Sequence, residues 1–228
     1  MFLIPTRAAP DAAADEVSLF LVERSAGVEA SDEWKGTGLR GSSSGPVAVD
    51  ALVPDENLMG AAGTADEHIT TDMFNLLLLS HAVLYSGIAD EAFALATRRA
   101  SARRFAHTGT ALAGTTLWQS KLGELSAELT ACRSLIDMAA EQVESSARGQ
   151  LFKESLAAKL LACRAARRST DLALQLFGGS GYNVGTRVEL LWRDARAGSL
   201  MRPSDEVTSL ILGRLATGRT PFELCCEN

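Results

Sequence analysis

The fold is decided by LQLFGGSGY at residues 174–182 and by WRDAR at residues 192–196. Residues 174–177 continue a helical pattern, in which apolar side chains recur at every third or fourth position. Gly178, Gly179 and Gly181 then interrupt this pattern, and glycine often ends helices because it adopts left-handed backbone angles without strain. The sequence therefore predicts a helix that stops at Phe177 and a bend that leads into a further helix.

The helix-forming pattern extends in both directions from this bend. From Asp66 onward the chain is rich in Ala, Leu, Arg and Glu, and it contains no proline before Pro203. Ser204, followed by Asp205 and Glu206, is typical of a helix N-terminus. Long helices joined by short loops indicate a bundle. We predict helices at roughly 67–104, 116–147, 150–177, 185–197 and 204–217.

The first sixty or so residues favour strands instead of helices. Two runs of strand-forming residues, Phe2–Ile4 and Val17–Val22, are joined by a polar, alanine-rich linker. A Gly/Ser-rich stretch separates them from a third apolar run, Val47–Val53, which Pro54 stops. A strand that begins at residue 2 leaves one sheet edge unpaired unless other sequence covers it. The predicted fold is mainly α with a small β portion, divided into a partial β-domain at 1–62 and a helical bundle domain at 63–228.

Composition restricts the classes of partner. The net charge is −6, with both signs mixed along the chain, so no basic surface for nucleic acid is expected. The four cysteines, Cys132, Cys163, Cys225 and Cys226, lack metal-ligand spacing and are expected to be reduced thiols. His68, His81 and His107 are scattered in the same way, so we expect structural roles for them and no metal site.

The hydrophobic segments are short. The N-terminus has no basic region followed by a long apolar run, and the longest aliphatic run, Leu76–Leu79, is too short to cross a membrane. We therefore expect a cytoplasmic protein that is not embedded in a membrane.

The bend and the Trp192–Arg196 run, with Arg187 and Glu189 between them, together resemble the C-terminal signature of the acyl-CoA dehydrogenase superfamily of flavoproteins. Upstream segments resemble the second half of that family's β-domain in the same order; they are Leu19–Glu23, Gly38–Ser42, and Val53–Pro54 with Asn57–Gly60. The resemblance covers nearly the whole chain and implies the end of a β-domain followed by a C-terminal four-helix bundle. The family's N-terminal domain has no counterpart here.

The resemblance also implies a cofactor, flavin adenine dinucleotide (FAD), which lies across a subunit interface in this family. The implied contact residues are Arg104, Phe105, Gln119, Gln175, Phe177, Gly178, Gly179, Ser204 and Glu206. Structural roles remain open for each group of residues. The glycines can be a plain helix C-cap, Arg103 and Arg104 a solvated helix end, Gln119 a surface residue, and Ser204 with Asp205 an N-cap.

No catalytic base is predicted. By resemblance, the family's usual glutamate position is occupied by Arg202, and an alternative position on the first long helix is occupied by Leu77, with Leu78 where an arginine is common. A guanidinium stays protonated at neutral pH and leucine carries no exchangeable proton. Ordinary α,β-dehydrogenation by this chain alone is therefore not expected.

Three functional hypotheses remain. In the first, the chain completes the FAD site of a homo-oligomer, or of a hetero-oligomer with a chain that supplies the N-terminal domain, for oxidation of an acyl thioester. In the second, the flavin activates oxygen, as in related monooxygenases. In the third, the bundle is a non-catalytic scaffold. The missing front half is explained by a second polypeptide, by a misassigned start or by a remnant with another role.

Overall fold

The computed structural model describes residues 1–13, 15–24, 27–30, 34–42, 44–145 and 151–222. Helices dominate the described residues, which confirms the predicted class of mainly α with a small β portion. The strands are β1 (Phe2–Arg7), β2 (Val17–Val22), β3 (Val28–Ala30) and β4 (Val47–Val49). The helices are α1 (Ala65–Thr70), α2 (Asp72–Ala102), α3 (Thr116–Ser145), α4 (Lys153–Phe177), α5 (Arg187–Gly198) and α6 (Asp205–Ala216).

One compact unit contains the four strands and α1. β1 and β2 are antiparallel, with Phe2 opposite Val22 and Arg7 opposite Val17. Among the described strands, β1 pairs with β2 alone, so its outer edge has no strand partner. Leu19 and Val22 of β2 are buried and form the interior of this unit.

Two details of this unit differ from the prediction. β3 was not predicted, because three residues are too few to show strand alternation. It pairs with β4, and the ladder ends where the Asp50 amide donates to the Gly27 carbonyl at 2.9 Å. The predicted run Val47–Val53 is therefore a strand only as far as Val49, and Leu52 is fully exposed beyond it.

The predicted first long helix is interrupted. α1 ends at Thr70, and Thr71 adopts φ −118° and ψ −83° before α2 begins. The hydroxyls of Thr70 and Thr71 donate to the carbonyls of Asp66 and Glu67, at 2.8 and 2.5 Å. Such bonds from threonine compete with the regular helical pattern and bend helices, which accounts for the break.

The second unit is the helical bundle, which comprises Thr37–Leu39 and, among the described residues, 75–145 and 152–222. α2 presents small residues to the interior, which lets neighbouring helices approach closely; they are Ala82, Ala89, Ala92, Ala96 and Ala100. Leu125, Leu129 and Ile136 of α3 pack in the same core, as do Ala162, Ala166 and Leu176 of α4. By length and composition the segment Ala65–Ala102 could cross a membrane, but half of its most apolar window is buried inside the protein.

Gly178 ends α4 as predicted. Its backbone adopts φ 61° and ψ −145°, and its amide donates to the Leu174 carbonyl. This region of backbone space is open essentially to glycine alone.

We therefore expect Gly178→Ala to lower the free energy of unfolding by about 1–3 kcal/mol, measured by urea denaturation. Gly179→Ala is the control, because an added Cβ there has no neighbour within 4 Å; an equal loss in both variants would contradict the argument.

Candidate functional site

The glycine bend lies beside the C-terminal end of α2. The Arg103 guanidinium donates to the Leu176 carbonyl at 3.1 Å, and the Arg99 guanidinium lies 5.2 Å from the centre of the Phe177 ring. The predicted bend and the arginines at the C-terminal end of α2 are therefore brought together at one end of the bundle. Arginines at this end favour an anionic ligand, and they also neutralise the negative end of the α4 dipole.

Arg104 and Phe105 have different surroundings. Arg104 is exposed, and its guanidinium donates to the Gly109 carbonyl at 2.9 Å. Phe105 is half-buried against the core, with its ring 5.6 Å from that of His107. Arg104 is thus available at the surface, whereas Phe105 anchors the turn between α2 and α3.

The two predicted glutamines are both exposed. Gln119 lies in the first turn of α3, and Gln175 lies in the last turns of α4. Gln175 lines a groove of about 320 Å³ between α3 and α4, and Gln119 is not part of its lining. The remaining lining residues are Lys121, Glu124, Leu125, Arg168, Asp171 and Leu172. The structure therefore associates Gln175, rather than Gln119, with a concave surface.

Ser204 and Glu206 lie elsewhere, at the start of α6. The Ser204 hydroxyl accepts from the Val207 amide at 3.3 Å, which confirms the predicted N-cap. Glu206 is exposed, and hydrogen bonds from its own backbone amide and from the Ser204 hydroxyl lower the pKa of its carboxyl group. The first residue of α6, Asp205, lies 3.5 Å from the Lys159 ammonium group of α4. Lys159 precedes Phe177 by about 27 Å of helix at 1.5 Å per residue. Within this chain, the predicted FAD contacts therefore form two groups.

A buried ion cluster fixes the loop that carries Arg202. Lys159 is fully buried, and its ammonium group donates to the Pro203 carbonyl at 2.7 Å. The same group lies 3.5 Å from one carboxylate oxygen of Asp205, an ion pair by distance without hydrogen-bond geometry. The Arg167 guanidinium contacts the other oxygen of Asp205 at 3.1 Å. The backbone on the C-terminal side of Arg202 is thereby held from inside the bundle.

Sequence reasoning missed Lys159. The sequence nevertheless carries a signal for this residue, because Lys159 falls on the apolar face of α4. Leu156, Leu160 and Cys163 on the same face are all buried. A lysine inside such a face requires a buried partner, because an unpaired ammonium is very unfavourable in the interior. The partners are distant in sequence and could not be identified from the local pattern.

The two positions that the resemblance assigns to a base are both at the surface. Arg202 is exposed in the loop before α6, and Leu77 is partly exposed on α2. Leu78, where an arginine was expected by resemblance, is fully buried. Neither surface position carries a group that accepts a proton at neutral pH.

Two further titratable groups, Cys163 and Tyr85, lie against the C-terminal end of α5. Burial raises the pKa of the Cys163 thiol to about 12, and burial also raises the pKa of the Tyr85 hydroxyl. A Cβ on Gly198 would lie 2.8 Å from the Tyr85 ring and 2.9 Å from the Cys163 sulfur. This packing admits only glycine at position 198 and keeps both side chains un-ionised at neutral pH.

His81 makes stability depend on pH. It is 8% exposed, its Nδ1 is buried without a hydrogen-bond partner, and burial, followed by the Lys159 charge, lowers the pKa of its imidazole. The unfolded chain therefore takes up this proton at a higher pH than the folded chain.

We expect the free energy of unfolding to fall as pH drops below about 6.5, the ordinary histidine pKa. Urea titrations across this range should show a shallower fall for His81→Gln and an unchanged fall for the exposed control His107→Gln; identical profiles in all three proteins would contradict this role.

The family model and the curated relatives that match this chain belong to the same family. The family model "Acyl-CoA dehydrogenase, C-terminal domain" matches residues 59–216. An acyl-CoA dehydrogenase of Bacillus subtilis (strain 168) is 31% identical over 215 residues, which are 93% of this chain and 55% of that protein. The chain thus spans about half the length of the curated relatives it matches.

Solved structures agree in fold. The glutaryl-coenzyme A dehydrogenase in complex with glutaryl-CoA superposes with a TM-score of 0.86 at 22% identity, over 95% of this chain and 54% of that chain. An acyl-CoA dehydrogenase from Bacillus anthracis, complexed with FAD, superposes with a TM-score of 0.74 at 24% identity, over 89% of this chain and 38% of that chain. At these identities, the likeness concerns the fold alone.

Proposed function

Since this chain belongs to the acyl-CoA dehydrogenase family, we propose that it supplies the C-terminal half of an FAD site in an oligomeric oxidoreductase that acts on an acyl thioester. The observation that carries the proposal is the glycine bend, exposed at Gly179, with arginines beside it. FAD, when bound, would supply the acceptor for the hydride that leaves the β-carbon of the thioester. The chain's own residues would bind and orient that cofactor.

The residues at the bend fit a pyrophosphate. A Cβ on Gly178 would lie 3.8 Å from the Arg103 guanidinium, so arginine donors stand directly beside the bend. Arg103 uses one N–H for the Leu176 carbonyl, and a guanidinium has five in total. Gly179 is exposed and lets a ligand approach the backbone closely. Arg103, Gln175, Gly178 and Gly179 at the bend are the residues that we expect to hold the cofactor, together with Arg104, which the resemblance assigns.

A second chain is part of the proposal. The relatives are about twice as long, and the base positions Arg202 and Leu77 offer no proton acceptor. Oxidation of a thioester at its α and β carbons requires removal of the α-proton, and neither of these positions provides that base. The oxygen-activating alternative needs no such base, and it predicts flavin in the assembly without dehydrogenation of acyl thioesters.

Gln175→Glu tests the cofactor site. The assembly is isolated from its own cells through an affinity tag on this chain, and its FAD affinity is measured by fluorescence titration after the flavin is removed. A carboxylate beside the pyrophosphate should weaken FAD binding by about tenfold or more, because like charges repel at short range. Met138→Glu, at an exposed position on α3, is the matched control. Equal affinities for the two variants would place the cofactor elsewhere.

A further inference from the structure

Two contacts fix the register between α2 and α4. Near the start of both helices, the Phe152 amide donates to the side-chain oxygen of Asn75 at 3.1 Å. Further along, Tyr85 and Cys163 meet at one point, because a Cβ on Gly198 would lie 2.8 Å from the Tyr85 ring and 2.9 Å from the Cys163 sulfur. The two helices therefore run side by side in the same direction over this stretch.

This register places His81 beside Lys159. His81 precedes Tyr85 by four residues and Lys159 precedes Cys163 by four, which is about one helical turn in each case. Both side chains point into the bundle, since His81 is 8% exposed and Lys159 is fully buried. Burial, followed by the charge of Lys159, lowers the pKa of the His81 imidazole. An imidazole and an ammonium group are thus neighbours in the interior.

The loop between α5 and α6, residues 199–204, is fastened to the same two helices. From α4, the Lys159 ammonium group donates to the Pro203 carbonyl at 2.7 Å. From α2, the Tyr85 hydroxyl donates to the Met201 sulfur at 3.1 Å. The Lys159 bond to Pro203 therefore helps to fix the position of Arg202, which lies on this loop.

The carboxylates around this pair already have partners. Asp205 of α6 lies 3.5 Å from the Lys159 ammonium group and accepts from the Arg167 guanidinium at 3.1 Å. Asp194 of α5 accepts from the Leu39 amide at 2.7 Å. Neither carboxylate is therefore free to pair with a second buried cation beside Lys159.

The other titratable groups in this interior cannot compensate a charge on His81 either. Tyr85 and Cys163 stay un-ionised at neutral and acidic pH, because burial raises the pKa of each. Among the described residues, the His81 Nδ1 atom is buried without a hydrogen-bond partner. A proton on this imidazole would thus add an unpaired cation next to Lys159, and like charges repel strongly where water is excluded.

We propose that His81 is a pH-sensitive switch for the loop 199–204: a proton on its imidazole displaces the Lys159 ammonium group from the Pro203 carbonyl and releases the loop. In the released form the imidazole is hydrated and regains its ordinary affinity for a proton. The released form is therefore favoured as the pH falls below about 6.5, the ordinary histidine pKa, and the closed form is favoured above it. The inference is independent of the proposed function, because it requires neither flavin nor a thioester.

Hydrogen–deuterium exchange followed by mass spectrometry tests the switch in the assembly isolated from its own cells through a tag on this chain. The amides of Met201 and Asp205 report on the loop, because they donate to the carbonyls of Ala197 and Ser199 at 2.9 and 3.1 Å. After correction for the intrinsic pH dependence of exchange, we expect their protection to fall about tenfold or more between about pH 7.5 and about pH 5. These amides should also be less protected than the buried part of α3 around Leu129 at every pH, because the loop opens locally.

Variants then show whether His81 is the group that titrates. His81→Gln removes the titrating group and keeps a polar side chain, so the protection of the loop amides should stay constant over the same pH range. His81→Leu should give the same constant protection without a polar atom, and it serves where the glutamine variant folds poorly. The exposed control His107→Gln should behave as the wild type does.

Three results would overturn the inference. The first is a wild-type loop whose protection does not change with pH, and the second is an equal loss of protection in the wild type and in a folded His81 variant. The third is equal protection of the loop and of α3 in the wild type, because the loop amides would then exchange only when the whole molecule unfolds. The first and third comparisons need no variant.

Discussion

Lys159→Met is expected to lower the free energy of unfolding by about 3 kcal/mol, at the lower end of the 3–5 kcal/mol typical for breaking a buried ion pair. The substitution removes the donor to the Pro203 carbonyl and leaves the buried Asp205 carboxylate with Arg167 as its remaining cation. Arg167 is itself partly exposed, so it compensates only in part. Urea denaturation followed by circular dichroism measures the loss.

A double variant tests whether the stability loss in Lys159→Met comes from the unpaired buried charge or from lost packing. In Lys159→Met/Asp205→Leu both buried charges are gone, and replacing a whole buried pair by apolar residues is often neutral or stabilising. We therefore expect the double variant to recover at least half of the lost stability. If the double variant is less stable than Lys159→Met, the two side chains do not act as a pair.

Arg202→Glu is expected to raise the rate of acyl-thioester dehydrogenation by the flavin-containing assembly by about 10²–10⁴-fold, the range typical of a positioned general base. By resemblance, Arg202 occupies the position of the family's glutamate. The loop around it is held by the Lys159 bond to Pro203 and by the Asp205 amide, which donates to the Ser199 carbonyl at 3.1 Å. These contacts do not involve the Arg202 side chain, so we expect the loop to keep its conformation when that side chain is replaced.

Arg202→Gln is the matched control for this gain. It removes the same positive charge and keeps a side chain of similar length, but an amide cannot accept the α-proton. Turnover of a short-chain acyl thioester, followed with an artificial electron acceptor, should rise only in the glutamate variant. Equal rates for the two variants would mean that position 202 does not face the reacting carbons.

The helices were largely predictable because their signals are local. Apolar periodicity gave α3 and α4 within a few residues, and Gly178 and Ser204 marked a C-cap and an N-cap that the structure confirms. The break at Thr71 was missed because the apolar periodicity continues across it, and two threonines alone do not predict where a helix ends. β3 was missed because its pairing with β4 is decided by the partner strand rather than by its own three residues.

The candidate site was predictable only in part. The bend and the nearby arginines are recognisable from the sequence, and the structure brings Arg103 against Leu176. Lys159 was missed, because its partners Pro203 and Asp205 lie on another helix and its entry loop. The exposed side of α2 was likewise not predictable, since both of its faces are apolar and periodicity cannot tell which one the bundle covers.

The central claim is that this chain holds part of an FAD site that a second chain completes. The most direct measurement is the visible absorption spectrum, with FAD quantified per copy of this chain, for the isolated chain and for the assembly purified from its own cells. The account predicts flavin bands at a fixed ratio in the assembly and none in the isolated chain. A colourless assembly that contains both chains would contradict it, and so would an isolated chain that binds FAD at full occupancy.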